Sequence, residues 1–301
     1  MRICLIGCVE FSGWALKRLF ELESVGICTV AGVITKKASS FNADFCDLSG
    51  CVEEVNADPA IVHFYKNQEA ATSFIRDVRA DIVFCFGWSS LLGPEMLSAA
   101  PRGVIGFHPA ALPQNRGRHP IIWALVLGLD ETASTFFQMD EKADSGPILS
   151  QKPVPISPDD NASTLYQKIT ETALAQIEQF TPALVRNSAK FQPQDHTQAT
   201  YWRKRSLTDG IIDWRMDAVA VHNLVRALHH PYPGAEFQSV QHGAVKVWQT
   251  SLSESLFSRN FEPGKILDVQ PRRVLVKCGG ESAIWLENIK LGLNCIEGGY
   301  L

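Results

Sequence analysis

The chain has 301 residues, 46% of them hydrophobic and 20% charged, with a formal net charge of −4. That length accommodates one large domain and a smaller one, and the slightly acidic balance supplies no electrostatic footprint for non-specific nucleic-acid binding. The eight cysteines (Cys4, Cys8, Cys28, Cys46, Cys51, Cys85, Cys278 and Cys295) are scattered without a zinc-type Cys-x-x-Cys pair. They are expected to be core thiols in a reducing compartment, with no metal site. The N-terminal Met1-Arg2-Ile3-Cys4-Leu5-Ile6-Gly7 lacks the apolar core of a signal peptide, and no stretch reaches membrane-spanning length. A cytoplasmic protein with no membrane partner is expected.

Residues Arg2 to Cys8 read as a buried strand. A helix follows, carrying Trp14, Leu16, Leu19, Phe20 and Leu22 at roughly helical spacing, and then a second strand over Val30 to Thr35. A strand, helix, strand opening predicts an α/β fold with a doubly wound, mostly parallel sheet, whose ligands bind beyond the carboxyl ends of the strands. No Gly-x-Gly-x-x-Gly follows the first strand, which reduces a nicotinamide cofactor to a minor alternative. Lys36 to Pro59 is polar and mixed and reads as a solvated surface loop, with a substrate loop as the alternative. A helix is predicted over Gln68 to Val78 and a strand over Asp81 to Phe86. The strand stops at Gly87-Trp88-Ser89-Ser90-Leu91-Leu92, where the tryptophan and leucines suit a core as well as the wall of a pocket for a flat heterocycle.

The stretch from Gly106 to Pro120 concentrates two histidines, two arginines, three prolines and two glycines between the apolar Val104-Ile105 and a helix predicted over Pro120 to Leu127. A polar, backbone-restricted loop between a buried strand and a helix is a common seat of an active site on an α/β scaffold. The next strand, Ala133 to Met139, ends in Asp140-Glu141-Lys142-Ala143-Asp144-Ser145-Gly146-Pro147. Turn capping is open for both aspartates on spacing alone. His108 at a strand end can take a proton from an attacking nucleophile near neutral pH, and a nearby carboxylate can orient the ring and stabilise its charged form. Asp144 comes off a different strand end, and two such loops can meet above one crevice. A histidine and an aspartate without a serine or cysteine nucleophile suggest that the substrate brings its own.

Ser157-Pro158-Asp159-Asp160 is predicted to cap a long helix from Ala162 to Val185, with Leu165, Ile169, Leu174 and Ile177 on one stripe. The polar segment Asn187 to Tyr201, carrying Pro193, Gln194, Asp195, His196 and Thr197, marks a boundary between a domain over 1–190 and one over 191–301. Beyond it, a helix over Val219 to His230 ends at Pro231-Tyr232-Pro233-Gly234. Short strands are predicted at Val245 to Thr250, Gly264 to Val269, Val274 to Cys278 and Ala283 to Ile289, the pattern of a small β-barrel.

Together, His108-Pro109, Leu112-Pro113, Arg116-Gly117, Pro120 and Asp144-Ser145-Gly146 resemble the catalytic core of the 10-formyltetrahydrofolate-dependent formyltransferases. That group includes methionyl-tRNA, glycinamide ribonucleotide and sugar N-formyltransferases. Asp209-Gly210-Ile211-Ile212-Asp213-Trp214, His222-Asn223-Leu224-Val225-Arg226-Ala227-Leu228 and Pro231-Tyr232-Pro233-Gly234-Ala235 are similar to the second domain of the methionyl-tRNA and nucleotide-sugar enzymes.

The resemblance implies amide formation, in which a substrate amine attacks the formyl carbon of 10-formyltetrahydrofolate and tetrahydrofolate leaves. By the same likeness His108 and Asp144 are catalytic. The pteridine is expected between Gly87, Trp88, Leu91 and Leu92 on one side and Asp140, Glu141, Lys142 and Ala143 on the other. The family normally reads Asn-x-His at the strand end, the asparagine donating to the developing oxyanion, whereas this chain reads Gly106-Phe107-His108. Loss of one such donor costs on the order of a hundred- to thousandfold in rate, so a replacement is expected from His119, with Asn115 second. The aromatic, basic segment Tyr201 to Gly210 reads equally as a solvated basic loop and as a stacking surface with cations suited to a nucleobase and diphosphate. Arg116, Gly117, Arg118, Tyr201, Lys204, His229, His230 and Tyr232 are therefore the expected substrate contacts. The preferred substrate is a nucleotide-linked amino sugar, in a bacterial pathway to formylated surface sugars and in a homodimer. Methionyl-tRNA, disfavoured by the acidic balance, and a non-catalytic folate- or nucleotide-binding protein stand as alternatives.

Overall fold

The computed structural model describes residues 1–39, 43–239, 243–289 and 295–301; Ser40, Phe41 and Asn42 of the expected surface loop lie outside the described residues. In chain order the elements are β1 (Arg2–Ile6), α1 (Glu10–Ser24), β2 (Thr29–Thr35), α2 (Leu48–Glu54), β3 (Val62–Phe64), α3 (Gln68–Asp77), β4 (Ile82–Cys85) and α4 (Pro94–Leu97). Then come β5 (Val104–His108), β6 (Arg116–Gly117), α5 (Pro120–Val126), β7 (Glu131–Gln138), β8 (Ile148–Pro155), α6 (Ala162–Val185), β9 (Tyr201–Trp202) and α7 (Ala218–Ala227). The last six strands are β10 (Ala235–Ser239), β11 (Gly243–Val247), β12 (Thr250–Leu252), β13 (Ile266–Gln270), β14 (Arg273–Lys277) and β15 (Ala283–Glu287). The chain divides into two compact units, one over Met1–Pro120, Thr132–Val154 and Gln167–Trp202, the other over Ile121–Glu131, Pro155–Tyr166 and Arg203–Leu301. The boundary expected at 190 therefore moves: residues 191–202 group with the first unit because β9 pairs with β6.

The first unit is built on a seven-stranded sheet of order β3-β2-β1-β4-β5-β7-β8. Near-continuous apolar runs such as Ile82–Cys85, buried along their whole length, suit strands covered on both faces. The strand order reverses at β1, which pairs in parallel with β2 on one side and β4 on the other, the place where doubly wound sheets open a crevice at their carboxyl ends. β5 continues in parallel from β4, so the loop after β4 and His108 at the end of β5 lie along one edge. β7 is antiparallel to β5, with His108 opposite Thr135 and Ile105 opposite Gln138. Across β5 and β7 runs an aromatic cluster in which Phe136 contacts Phe86, Phe107 and Phe180.

Two local expectations change. The segment read as a surface loop contains α2, whose Leu48 and Val52 are fully buried and whose Asp47 caps it through the Ser49 amide. The cap of α6 is Asn161, whose Oδ1 accepts from the Ser163 and Thr164 amides, and its buried stripe runs Leu165, Ile169, Ala173, Ile177 rather than through Leu174. In the second unit β12-β15-β14-β13 form an antiparallel sheet and β10-β11 a separate hairpin. This is the smaller C-terminal domain of short strands that the sequence predicts. All eight cysteines are free, six of them buried, as core thiols require.

Phe136 is fully buried at the centre of its cluster. Phe136→Ala should cost about 3–5 kcal/mol of stability, the usual toll for opening a cavity of that size, read as a lower urea midpoint at unchanged slope.

Candidate active site

His108 is buried at the end of β5, and its Nε2 lies 2.8 Å from the Asn115 carbonyl oxygen. A carbonyl only accepts, so Nε2 carries the ring proton and Nδ1 is left as the basic nitrogen. Nδ1 is 3.7 Å from Asp144 Oδ2. The carboxylate thus stands beside the nitrogen that carries no proton in this tautomer.

Asp144 does not reach this position simply from a neighbouring strand end. Because β7 is antiparallel, its last residue lies beside Ile105 and not beside His108; residues 139–144 double back to bring the carboxylate to the imidazole. Asp144 has φ of +55°, a left-handed conformation that aspartate tolerates better than most residues. Its Oδ2 accepts from the Gly117 amide at 2.8 Å. Gly117 itself has φ of +110°, and a Cβ there would strike the Trp202 carbonyl, so only glycine lets that amide reach the carboxylate. The two aspartates of the turn divide the two roles open to them: Asp140 Oδ1 accepts from the Lys142 amide at 3.0 Å and the Ser145 hydroxyl at 2.6 Å and caps the turn, while Asp144 faces the histidine.

The loop after His108 is held by the segment before β9. Thr200 receives the Asn115 amide on its hydroxyl at 2.8 Å and the Arg116 amide on its carbonyl at 3.0 Å, and Arg118 donates its amide to the Trp202 carbonyl at 3.2 Å. Arg116 is 2% exposed. Its guanidinium donates to Tyr201 Oη at 3.0 Å, Gln194 Oε1 at 2.6 Å and His196 Nδ1 at 3.0 Å. The charge is drawn inward, and it lines a cavity of about 510 Å³ with Asp140, Glu141, Lys142, Ser145, His196 and Tyr201. Arg118 is exposed and donates to the Ser89 carbonyl at 2.9 Å. His119 is half-buried with φ of +56°, and Asn115 has φ of +63°.

At the opposite loop, Trp88 is half-buried, edge-on to Tyr65 and beneath Lys36 Nζ at 4.5 Å. Gly87 carries φ of +67°. Leu92 is buried in the core, whereas Leu91 is 65% exposed, so of the two only Leu91 offers a free apolar surface. Gln68 fixes the far end of this loop by donating to the Leu91 carbonyl at 3.1 Å and accepting from the Gly93 amide at 2.6 Å. Ala143 is exposed on the turn between Asp140 and Asp144.

Gly106 is explained by its neighbours. A Cβ there would lie 2.7 Å from Met139 Cγ and 3.0 Å from Phe137 Cζ. The volume in which an asparagine side chain would stand is filled by the Met139 thioether, a residue type that moulds itself to irregular gaps.

The remaining expected substrate contacts belong to the second unit. His230 stacks on Trp248 at 4.3 Å and His229 lies edge-on to the same ring. Burial lowers the pKa of His229 below the ordinary imidazole value. His229 and Trp248 line a cavity of about 360 Å³ with His222, Arg226, Asp159 and Asp160. Tyr232 is half-buried in the turn closed by its amide on the His229 carbonyl, and Lys204 is exposed. The cations of the 201–210 segment are largely spent within the unit: Arg203 forms a bidentate pair with Asp209, Arg205 donates to the Asp209 carbonyl, and both guanidinium groups lie about the Trp123 ring.

Residues 9–181 match the Formyl transferase family and residues 205–295 match the Formyl transferase, C-terminal domain family. The chain belongs to the formyl transferase family. Among solved structures it is similar to WlaRD, a sugar 3N-formyltransferase determined with dTDP and 5-N-formyl-THF, at a TM-score of 0.70 and 16% identity over 98% of this chain and 99% of that one. It is similar to an N-formyltransferase of Helicobacter canadensis in complex with folinic acid and dTDP-3-aminofucose, at 0.71 and 15% over 95% and 98%. It is also similar to HypX of Aquifex aeolicus in complex with tetrahydrofolic acid, at 0.67 and 17%, covering 95% of this chain but 43% of that one. No described helix is long and apolar enough to cross a membrane.

Two predictions follow from this geometry. Gly106→Asn should lower stability by about 1–3 kcal/mol through overpacking, and Gly106→Asn combined with Met139→Ala should recover most of it, read as paired shifts in melting temperature. Arg203, by its hydrogen bonds, holds the Asp209 carboxyl well below the usual carboxylate range. A depressed folded-state pKa adds stability above the unfolded value of about 4 that is lost as pH falls further. Asp209→Asn should therefore flatten the acid limb of the stability profile while leaving its slope above neutrality unchanged.

Proposed function

We propose that this formyltransferase moves the formyl group of 10-formyltetrahydrofolate onto the amine of a nucleotide-linked amino sugar. The observation that carries the reading is the His108–Asp144 pair, which supplies a base and a carboxylate but no protein nucleophile, within a chain whose two family domains together span most of its length. The sugar N-formyltransferases it resembles match it almost end to end, whereas HypX is more than twice as long as the matched part. Their folates and dTDP compounds support a formyl-folate donor and a nucleotide-sugar acceptor.

In the proposed reaction the neutral amine attacks the formyl carbon, forming the new C–N bond and a tetrahedral intermediate. His108 Nδ1 takes the proton the amine loses, and the Asp144 carboxylate stabilises the imidazolium. The bond to folate N10 then breaks, the formyl carbonyl reforms, and the proton passes to N10 of the departing tetrahydrofolate. With Met139 in the volume beside Gly106, the oxyanion donor is assigned to His119, with Asn115 second. The donor folate is assigned to Gly87, Trp88, Leu91 and Leu92 with Asp140, Glu141, Lys142 and Ala143. Acceptor contacts are assigned to Arg116, Gly117, Arg118, Tyr201, Lys204, His229, His230 and Tyr232. A cytoplasmic homodimer serving the synthesis of formylated surface sugars completes the proposal.

Thermal-shift titration with UDP, dTDP and GDP should show stabilisation by one nucleoside diphosphate, since a ligand bound only to the native state raises its melting temperature. His108→Asn should lower kcat by about 10²–10⁴-fold, the usual share of a positioned base. Turnover on methionyl-tRNA with no response to any nucleotide would sink the sugar reading. Binding of folate and nucleotide without transfer would leave a non-catalytic protein.

A further inference from the structure

Gln194 lies in the polar stretch just before β9, away from both loops of the proposed reaction centre in sequence, yet it is buried and uses both amide hydrogens and its carbonyl oxygen in hydrogen bonds. Nε2 donates to the Asp144 carbonyl at 3.0 Å and the Gly146 carbonyl at 2.7 Å, and Oε1 accepts from Arg116 Nη2 at 2.6 Å. The orientation of the amide is fixed by its partners, because guanidinium only donates and carbonyls only accept.

These bonds span the two segments whose meeting makes the site. Asp144 belongs to the turn that doubles back from β7, and its Oδ2 takes the Gly117 amide; Arg116 is the residue next to Gly117, on β6. Gln194 therefore ties the backbone of the acid to the side chain adjoining the amide that holds the acid's carboxylate. Asp144 and Gly146 are otherwise joined to β6 by that single amide bond among the hydrogen bonds described between them. A left-handed residue such as Asp144 keeps its conformation when its surroundings over-determine it, and Gln194 binds the carbonyl of that very residue.

We infer that Gln194 is a positioning residue for the reaction, acting through Asp144: its amide nitrogen sets where the carboxylate stands relative to His108. This rests on the reading of His108 and Asp144 as the reaction centre. A displacement of about 1 Å at a reacting group can cost on the order of a hundredfold in rate, so a residue that touches no substrate can control turnover in this way.

The test uses Gln194→Ala, Gln194→Asn and Gln194→Glu in the full chain. Glu keeps an acceptor for Arg116 but sets a carboxylate oxygen against the two carbonyls, and Asn falls short by one methylene. kcat and KM are measured with 10-formyltetrahydrofolate and the nucleotide sugar that stabilises the wild type. Hydrogen exchange of the Gly117 amide is followed by NMR without substrate. All three variants should show Gly117 exchange faster by about tenfold or more. They should also show kcat lower by about ten- to a hundredfold, with KM within about threefold.

Recovery of Gly117 protection and kcat by Glu would assign Gln194 to pairing with Arg116 alone and overturn the inference. So would unchanged Gly117 exchange, faster exchange with unchanged kcat, or failure of all three variants to fold. If the wild type transfers no formyl group to any nucleotide sugar, the functional reading fails separately, and the exchange of Gly117 still decides whether Gln194 holds Asp144.

Discussion

The site depends on one hydrogen bond, from the Gly117 amide to Asp144 Oδ2. It binds the loop after β5 to the turn after β7, and it places a carboxylate 3.7 Å from the basic nitrogen of His108. Each feature nearby serves that bond. Gly117 lacks a Cβ so that its backbone can lie against the Trp202 carbonyl, β9 pairs with β6 to hold the loop, and Thr200 receives two of the loop's amides. The Asn115 carbonyl, in the same loop, fixes the proton of His108 on Nε2. One short segment thus sets both the acid's position and the histidine's tautomer. Backbone groups do this well because their donors and acceptors carry no rotamer freedom to lose.

Gly106 and Met139 belong to the same economy of space. In a close-packed interior a missing side chain is filled by its neighbours, and here the filling residue lies immediately after β7, at the start of the excursion that carries Asp144 back to His108. Any side chain restored at 106 must displace the first residue of that excursion. Glycine at this position and methionine at 139 are coupled through one volume, and a comparison at one position without the other would misjudge both.

Much of this was legible in the residue order. The strand, helix, strand opening gave the parallel sheet, the apolar runs gave most of the strands, and His108 and Asp144 stood out as polar groups at strand ends. Other features escaped because they depend on pairing rather than pattern. Nothing in Glu131–Gln138 signals that β7 runs antiparallel to β5. That direction is decided by which neighbour satisfies its amides, and it determines why the acid must return along the turn. α2 was hidden in a polar stretch because its buried face is only Leu48, Cys51 and Val52. The burial of Arg116, expected as a substrate contact, and of Gln194, expected in a polar boundary segment, was not legible, since long polar side chains are usually exposed. Their burial follows from each satisfying the other, which no single-residue property reports.

The two arginines that the sequence offered as cations for a diphosphate show how composition misleads about availability. Arg203 is committed to Asp209 by a bidentate pair, and Arg205 to the carbonyl of the same residue, and both guanidinium groups lie over the Trp123 ring. A guanidinium already matched to a carboxylate gains little by exchanging it for a phosphate, because the new pair must first repay the desolvation and geometry of the old. The arginines of this segment therefore build its shape.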